Sequence, residues 1–219
     1  MGKDLLIYLS VGTVLMILLA LLRRDIYRVP VWKSIVSMLF LTVMGVLGTF
    51  ILYFVENGSW GGQSYFGAVL FTPILLIPIA WTLKIPYRQF LDYCAPAECA
   101  MLAVAKINCA IVGCCYGRHL ITLPSGKQLM FPSALIECVA AFILILILCR
   151  MEMYSKNRNC IYFWYMLFYG ALRFILNSFR GGLVPYVWIL PAGHFWALVS
   201  MVIGAVLLWI QYRSKKKRV

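Results

Sequence analysis

Acidic side chains are scarce, with seven Asp and Glu among 219 residues, two histidines, and charge on only 12% of positions. A soluble domain carries charge on about a quarter of its residues. This composition excludes one, and 63% hydrophobic content with 13 Phe, 13 Tyr and 7 Trp marks an integral membrane protein. Long polar stretches are missing too. The chain therefore reads as a single transmembrane helical domain over 1–219, ending in a basic cytoplasmic tail at 213–219. Its eight cysteines include no Cys-x-x-Cys pair, and His119 and His194 stand at no ligand spacing, so no metal or other cofactor is expected. No internal repeat is evident, which argues against a transporter built from matched broken helices.

Apolar runs long enough to cross about 30 Å of hydrocarbon occur at 5–22, 34–55, 66–83, 93–115, 133–149, 161–179 and 194–212. They predict an all-α polytopic protein with about seven transmembrane helices. The fourth run carries Glu98, Lys106 and Asn108 and is expected to lie buried among the others. The Gly-rich stretch 56–65 reads either as a surface loop or as a segment dipping into the bundle. Fourteen of the twenty basic residues fall in connections 23–33, 84–92 and 150–160 and in the tail. The positive-inside rule places these in the cytoplasm, with the amino terminus outside. The net charge of +13 then needs no nucleic acid, since topology and an anionic inner leaflet account for it. The first run lacks an Ala-x-Ala-like cleavage site and is expected to be a retained anchor.

With that topology, the charges outside the cytoplasmic loops gather toward the outer leaflet: Lys106, Arg118, Glu137, Arg173, Asn177, Arg180 and His194. Arg173, Asn177 and Arg180 are spaced i, i+4 and i+7 and share one helix face. Charges at membrane depth are costly and are found where they meet a substrate, an ion or each other. Guanidinium and ammonium groups together suit a phosphate, and a membrane phospholipid brings one by lateral diffusion. Arg118 and Arg180 also fit a simpler role, snorkelling to the interface. Arg173 lies deeper and fits pairing with Glu137, ligand contact, or both. His194 reads as a general base or as a hydrogen-bonded structural residue, and His119 is a weaker candidate base. Tyr169, one turn before Arg173, either donates to a phosphate or ester oxygen or fills the bundle. Cys109, Cys114, Cys115 and Cys138 lie toward the same end, as packing residues, disulfide partners or a transient carrier thiol. The loop 116–132 reads as an entrance flap or a passive turn.

Several short blocks resemble the bacterial prolipoprotein diacylglyceryl transferase family. Ala105-Lys106-Ile107-Asn108 through Gly117-Arg118 is similar to that family's Gly-Arg-x-Gly-Asn-Phe-x-Asn-Gly…Gly-Arg block, and Phe131-Pro132-Ser133-Ala134-Leu135-Ile136-Glu137 to its His-Pro-Ser-Gln-Leu-Tyr-Glu block. Tyr169-Gly170-Ala171-Leu172-Arg173 followed by Asn177 and Arg180 is similar to its Tyr-Gly-x-x-Arg…Glu-x-x-Arg, and Ala192-Gly193-His194 to its Met-Gly-Gln. The resemblance runs from about 61 to 212. It implies seven spans with the amino terminus outside, a bacterial cytoplasmic membrane location, and transfer of the diacylglyceryl unit of phosphatidylglycerol to the cysteine thiol of an exported lipoprotein precursor.

By the same resemblance, Arg118, Arg173 and Arg180 would hold or order the lipid head group and Glu137 would orient an Arg; together with His194, read as a base from its own chemistry, Arg118, Arg173 and Glu137 are expected in catalytic roles. Lys106, Ser133, Tyr169, Asn177, Arg180 and Gly67 are expected in lipid binding. There are departures. Phe66-Gly67-Ala68 stands where the family has His-Gly-Gly, Lys106 and Cys109 replace an Arg and an Asn, and Asn177 replaces a Glu. The expectation is a phospholipid-dependent transferase with a thiol-containing protein acceptor. A transferase with a non-protein acceptor and a non-catalytic lipid-binding or transport protein remain as alternatives, and nothing in the sequence sets the oligomeric state.

Overall fold

In hydrocarbon every backbone N–H and C=O must be satisfied within the protein, and helices do so within one segment. The computed structural model describes residues 2–113, 117, 119–122, 124, 126, 128–154, 157–179, 186–187 and 189–216. Its described helices are α1 (Gly2–Tyr27), α2 (Val31–Asn57), α3 (Phe66–Leu75), α4 (Ile77–Leu83), α5 (Tyr87–Val112), α6 (Ser133–Glu152), α7 (Ile161–Asn177) and α8 (Ala192–Lys216). Two small antiparallel ribbons, β1 (His119–Thr122) with β2 (Gln128–Met130) and β3 (Tyr186–Val187) with β4 (Leu190–Pro191), occupy the loops on either side of α6 and α7.

Five helices, α1, α2, α5, α6 and α8, are long and apolar enough to cross a membrane. A sixth span results if α3 and α4, bent by 44° at their junction, count as one. The chain is thus an all-α, multi-spanning membrane protein. The run 66–83, expected as one span, is broken into two helices, and two prolines explain the break. Pro73 lies inside α3 and Pro78 at the start of α4, and each removes a helix N–H and crowds the preceding turn. The expected run 161–179 forms α7, whose 17 residues make it shorter than each of the five helices long enough to cross.

The centre of the bundle is α5, which packs against α1, α6 and α7, while α7 lies along α8 and α2 along α3. Leu91, Ala95, Cys99, Leu102 and Ala103 of α5 are buried, as the polar content of that run suggested. Small residues set the closest approach. A Cβ on Gly48 would sit 2.6 Å from the Gly67 carbonyl oxygen, and one on Gly67 would collide with the Gly48 backbone, so α2 and α3 touch main chain to main chain. Gly45, one turn earlier, has more room, its nearest neighbour being Ala68 Cβ at 4.0 Å.

The basic connections meet at one end of the bundle. Arg23 at the end of α1 reaches Glu152 at the end of α6 and the carbonyls of Asp92 and Tyr93 near the start of α5. Lys33 Nζ donates to Leu83 O at 2.6 Å, and Arg88 donates to Gln211 late in α8. Asp92 accepts the N–H groups of Asn159 and Tyr162 where α7 begins. This positive end lies opposite the helix ends that carry Lys106, Glu137 and Arg173.

Candidate functional site

Three helices distant in sequence bring one acid and two cations together. Glu137 lies one turn into α6, after Ser133, whose N–H bonds Phe131 O at 2.8 Å as the helix starts behind Pro132. Lys106 comes from the last third of α5 and Arg173 from α7. Lys106 Nζ is 3.0 Å and Arg173 Nη1 2.7 Å from the same Glu137 oxygen, Oε2. Tyr169, one turn before Arg173 on the same face, donates its hydroxyl to Glu137 Oε1 at 3.4 Å. All three charges are buried, with 7% of Lys106, 2% of Glu137 and 8% of Arg173 exposed.

Among the described residues, one carboxylate faces the two cations. The group these three form carries a net positive charge in a low-dielectric setting, where burying charge is costly and an anion is strongly attracted. Glu137 holds both cations in fixed positions, and the guanidinium of Arg173 offers planar paired donors that match a phosphate or carboxylate. The arrangement suits binding an anion and stabilising negative charge that develops on it.

The other residues picked out from the sequence are distributed around this cluster. Ser133 is buried at the start of α6, one turn from Glu137. Asn177 continues the Arg173 face at the end of α7 and packs on Gly193, where a Cβ would come within 2.6 Å of Asn177 Nδ2. His194 belongs to the α7–α8 junction. Its Nε2 is 3.3 Å from Ser178 Oγ, and its ring stands edge-on to Phe174 at 5.1 Å. Gly67 sits in the α2–α3 crossing, a packing position, while neighbouring Phe66 is buried with its ring 5.4 Å from that of Tyr169.

Arg118 and Arg180 lie outside the described residues, as do Cys114 and Cys115, and His119 is described by backbone alone, in β1. Gly117 shows how this loop is held. Its N–H bonds Phe131 O at 2.9 Å, and a Cβ there would meet Phe131 and the carbonyl of Phe179. The residue preceding Arg118 is thereby fixed between the start of α6 and the end of α7. The loop 116–132 carries the β1–β2 ribbon.

Glu98, Tyr162 and Tyr169 stood out in the sequence, Tyr162 as an interface anchor, but two arrangements they form were not expected, and Tyr162 is buried. A file of tyrosines, Tyr162, Tyr165 and Tyr169, runs down α7 beneath Arg173, their rings 5.6 and 6.0 Å apart in succession. Glu98, two turns deeper in α5 than Lys106, accepts a hydrogen bond from Tyr162 OH at 3.1 Å and is 3% exposed. The signal was there as aromatic residues at helical spacing, which read equally well as packing. Tyr65, in the connection before α3, donates to Glu98 O and shares a 3.1 Å hydrogen bond with Tyr165 OH. Burial, and then the Glu98 carboxyl, push its phenol well above the usual range, so it remains a donor.

Comparison with known proteins finds one family. The family model described as prolipoprotein diacylglyceryl transferase matches residues 5–210. A phosphatidylglycerol–prolipoprotein diacylglyceryl transferase of Acinetobacter baumannii is 24% identical over 199 residues, covering 78% of this chain and 72% of its own. One from Geobacter sulfurreducens is 30% identical over 127 residues, covering 55% and 49%, and one from Clostridium tetani is 24% identical over 127 residues, covering 53% and 51%.

Proposed function

Since this chain belongs to the prolipoprotein diacylglyceryl transferase family, we propose that it is a bacterial multi-pass membrane transferase that moves the diacylglyceryl group of a phospholipid to the cysteine thiol of an exported protein. The observation that carries the reading is the Lys106–Glu137–Arg173 cluster, two cations on one carboxylate oxygen at membrane depth. In phosphatidylglycerol the group to be displaced is glycerol phosphate, and its phosphate is the anion such a cluster complements.

The acceptor thiol gives up its proton to water at the outer rim, its sulfur forms a bond to the glyceryl carbon, the bond from that carbon to the phosphate oxygen breaks, and the electron pair leaves with glycerol phosphate. Negative charge grows on the departing group, and Arg173 and Lys106 stabilise it from fixed positions that need no rearrangement. Glu137 keeps them in place. Lys106 contributes charge without the fork geometry of an arginine. Arg118 and Arg180 are assigned to the head group at the rim, Asn177 and Ser133 to lipid contact beside it, and Tyr169 to holding Glu137. The site faces the outer leaflet, because the basic connections gather at the opposite end of the bundle and the positive-inside rule makes that end cytoplasmic.

A buried Phe66 occupies the position where the family carries histidine, which favours a second reading with a different acceptor. One assay separates the readings: purified protein in phosphatidylglycerol vesicles with a lipoprotein signal peptide, followed by released glycerol phosphate and peptide mass. Release of glycerol phosphate with a diacylglyceryl mass added to the peptide is expected. Lipid consumption with an unmodified peptide assigns another acceptor, and intact lipid and peptide refute transfer and leave a lipid-binding protein.

A further inference from the structure

Pro73 leaves one backbone acceptor of α3 without its usual donor. In a helix the carbonyl of Val69 takes the N–H of the residue four positions later, which here is Pro73 and has none. Tyr162 of α7 supplies the missing donor, its hydroxyl 3.0 Å from Val69 O. The same hydroxyl lies 3.1 Å from Glu98 Oε2 of α5. A phenol has one proton, and neither a carbonyl nor an ionised carboxylate brings another. With Glu98 ionised, two acceptors compete for that single proton. A protonated Glu98 ends the competition, because its own O–H donates to the Tyr162 oxygen and the phenol proton goes wholly to Val69 O.

The other groups that face the carboxyl leave this choice to Glu98. Tyr165 of α7 bonds the carboxyl and lies 3.1 Å from Tyr65 OH, which gives its own proton to Glu98 O. Cys94 and Cys99 are the titratable neighbours on α5 itself, and Cys99 donates to Ala141 O of α6. Among the described residues Glu98 makes no ion pair. It borders a cavity of about 160 Å³ between α1, α2, the start of α3 and α5, with Tyr8 and Cys109 as further titratable lining and exposed Gln63 at the rim, so the carboxyl has a route to water. Tyr87 OH donates to Pro73 O at 2.5 Å, a second phenol at the break that bonds no carboxylate among the described residues.

We propose that Glu98, Tyr162 and Val69 form a proton-operated latch on the broken helix. When Glu98 takes up a proton, Tyr162 pins α3 to α7 at the carbonyl that Pro73 leaves open. When that proton is lost to water, Tyr162 turns its hydrogen to the carboxylate and the α3–α4 bend slackens. Phe66 of α3 packs on Tyr169, so the latch sets how firmly α3 lies against the α7 face that carries Arg173. The proposal does not rest on lipid transfer, since it uses none of Lys106, Glu137 and Arg173 and is read in the helix itself.

The test is amide hydrogen exchange of the full chain in detergent micelles, from mildly acid to alkaline pH, read by mass spectrometry on peptides of α3. Glu98→Gln and Tyr162→Phe are measured beside the parent at each pH, which cancels the intrinsic pH dependence of exchange. A Gln amide donates as the protonated acid does, so Glu98→Gln stays latched at every pH, and Tyr162→Phe has no proton to give and stays unlatched. The parent is expected to match Glu98→Gln at acid pH and to approach Tyr162→Phe at alkaline pH, where α3 exchanges about tenfold faster. Infrared difference spectra give an arm that needs no Tyr162 variant: a protonated-carboxyl band, absent from Glu98→Gln, should vanish over the same pH interval. A parent that tracks either variant at every pH, or a carboxyl band that is missing or titrates apart from the exchange step, overturns the proposal.

Discussion

The bundle buries an ion cluster near each end, and the two differ in the sign of charge they hold in excess. At the basic end Arg23 gives Nε and Nη2 to Glu152, Nη1 to Tyr93 O at 3.0 Å and Nη2 again to Asp92 O at 3.2 Å. Four of its N–H donors go to one carboxylate and to backbone, and Tyr27 and Tyr93 flank the guanidinium at under 6 Å. Asp92, the second acid there, is taken up by N–H groups at the start of α7, where the helix dipole also favours a negative charge. At the other end two cations share a single oxygen of Glu137. Both clusters are buried, so burial does not separate structure from function here. The sign of the surplus does. The cluster of Arg23, Glu152 and Asp92, one cation with two acids held by it and by backbone N–H groups, ties α1, α5, α6 and α7 together, and the one with surplus positive charge among the described residues is left complementary to an anion.

The contrast is sharpest in paired substitutions. Arg23→Leu strands Glu152, which is fully buried, and breaking such a pair costs about 3–5 kcal/mol. The expected outcome is a large drop in the thermal midpoint of detergent-solubilised protein, with activity lost only in proportion to folded material. Arg173→Ala should behave in the opposite way, because Lys106 still pairs with Glu137. Its fold should survive while transfer falls about 10²–10³-fold, the usual loss when one fixed transition-state donor is removed. Measured side by side, equal stability losses for the two variants would erase the distinction between the clusters.

The multi-spanning helical class, the burial of α5 and the meeting of Lys106, Glu137 and Arg173 were legible because each follows from a local rule, such as apolar length or polar residues inside an apolar run, whereas the seven expected spans reduce to five, or six with the bent pair. What was hidden depended on azimuth. Sequence put Glu98 and Lys106 on one helix without saying that the former joins a cavity wall beside α1 and α2 and the latter meets α6. The break at Leu76 was visible in Pro73 and Pro78, yet both prolines also fit a kinked continuous span, and only packing against α2 and α5 decides between these. Gly67 illustrates the same limit. Its place beside the family's His-Gly-Gly motif suggested ligand contact, and the structure sets it at a helix crossing.

That crossing supplies the next comparison. Gly67→Ala forces a Cβ onto the Gly48 backbone, and overpacking of this kind costs about 1–3 kcal/mol. Gly45→Ala, on the same α2 face with 4.0 Å of room, should be neutral or slightly stabilising. Thermal midpoints of the two single variants check this directly. Since neither glycine contacts the cation cluster, folded Gly67→Ala protein should retain the rate per folded molecule, and a selective rate loss would restore a direct role for Gly67 in lipid binding.

The smallest expected effect falls on Tyr169→Phe. Its hydroxyl reaches Glu137 Oε1 at 3.4 Å, a long contact, while Oε2 is held by both cations at 2.7 and 3.0 Å. Removing the hydroxyl should therefore cost about 0.5–1.5 kcal/mol, and the ring, buried among Tyr65, Phe66 and Tyr165, stays in place. If Tyr169 only orients Glu137, the loss appears as a modest fall in kcat, larger in Lys106→Met than in the parent because the carboxylate then has fewer restraints. If Tyr169 instead donates to the phospholipid, the losses in Tyr169→Phe and Lys106→Met add independently and KM rises with the first. A double-mutant cycle on kcat and KM reads the difference, and it decides whether the tyrosine file below Arg173 is part of the lipid site or the shelf that holds Glu137 against its two cations.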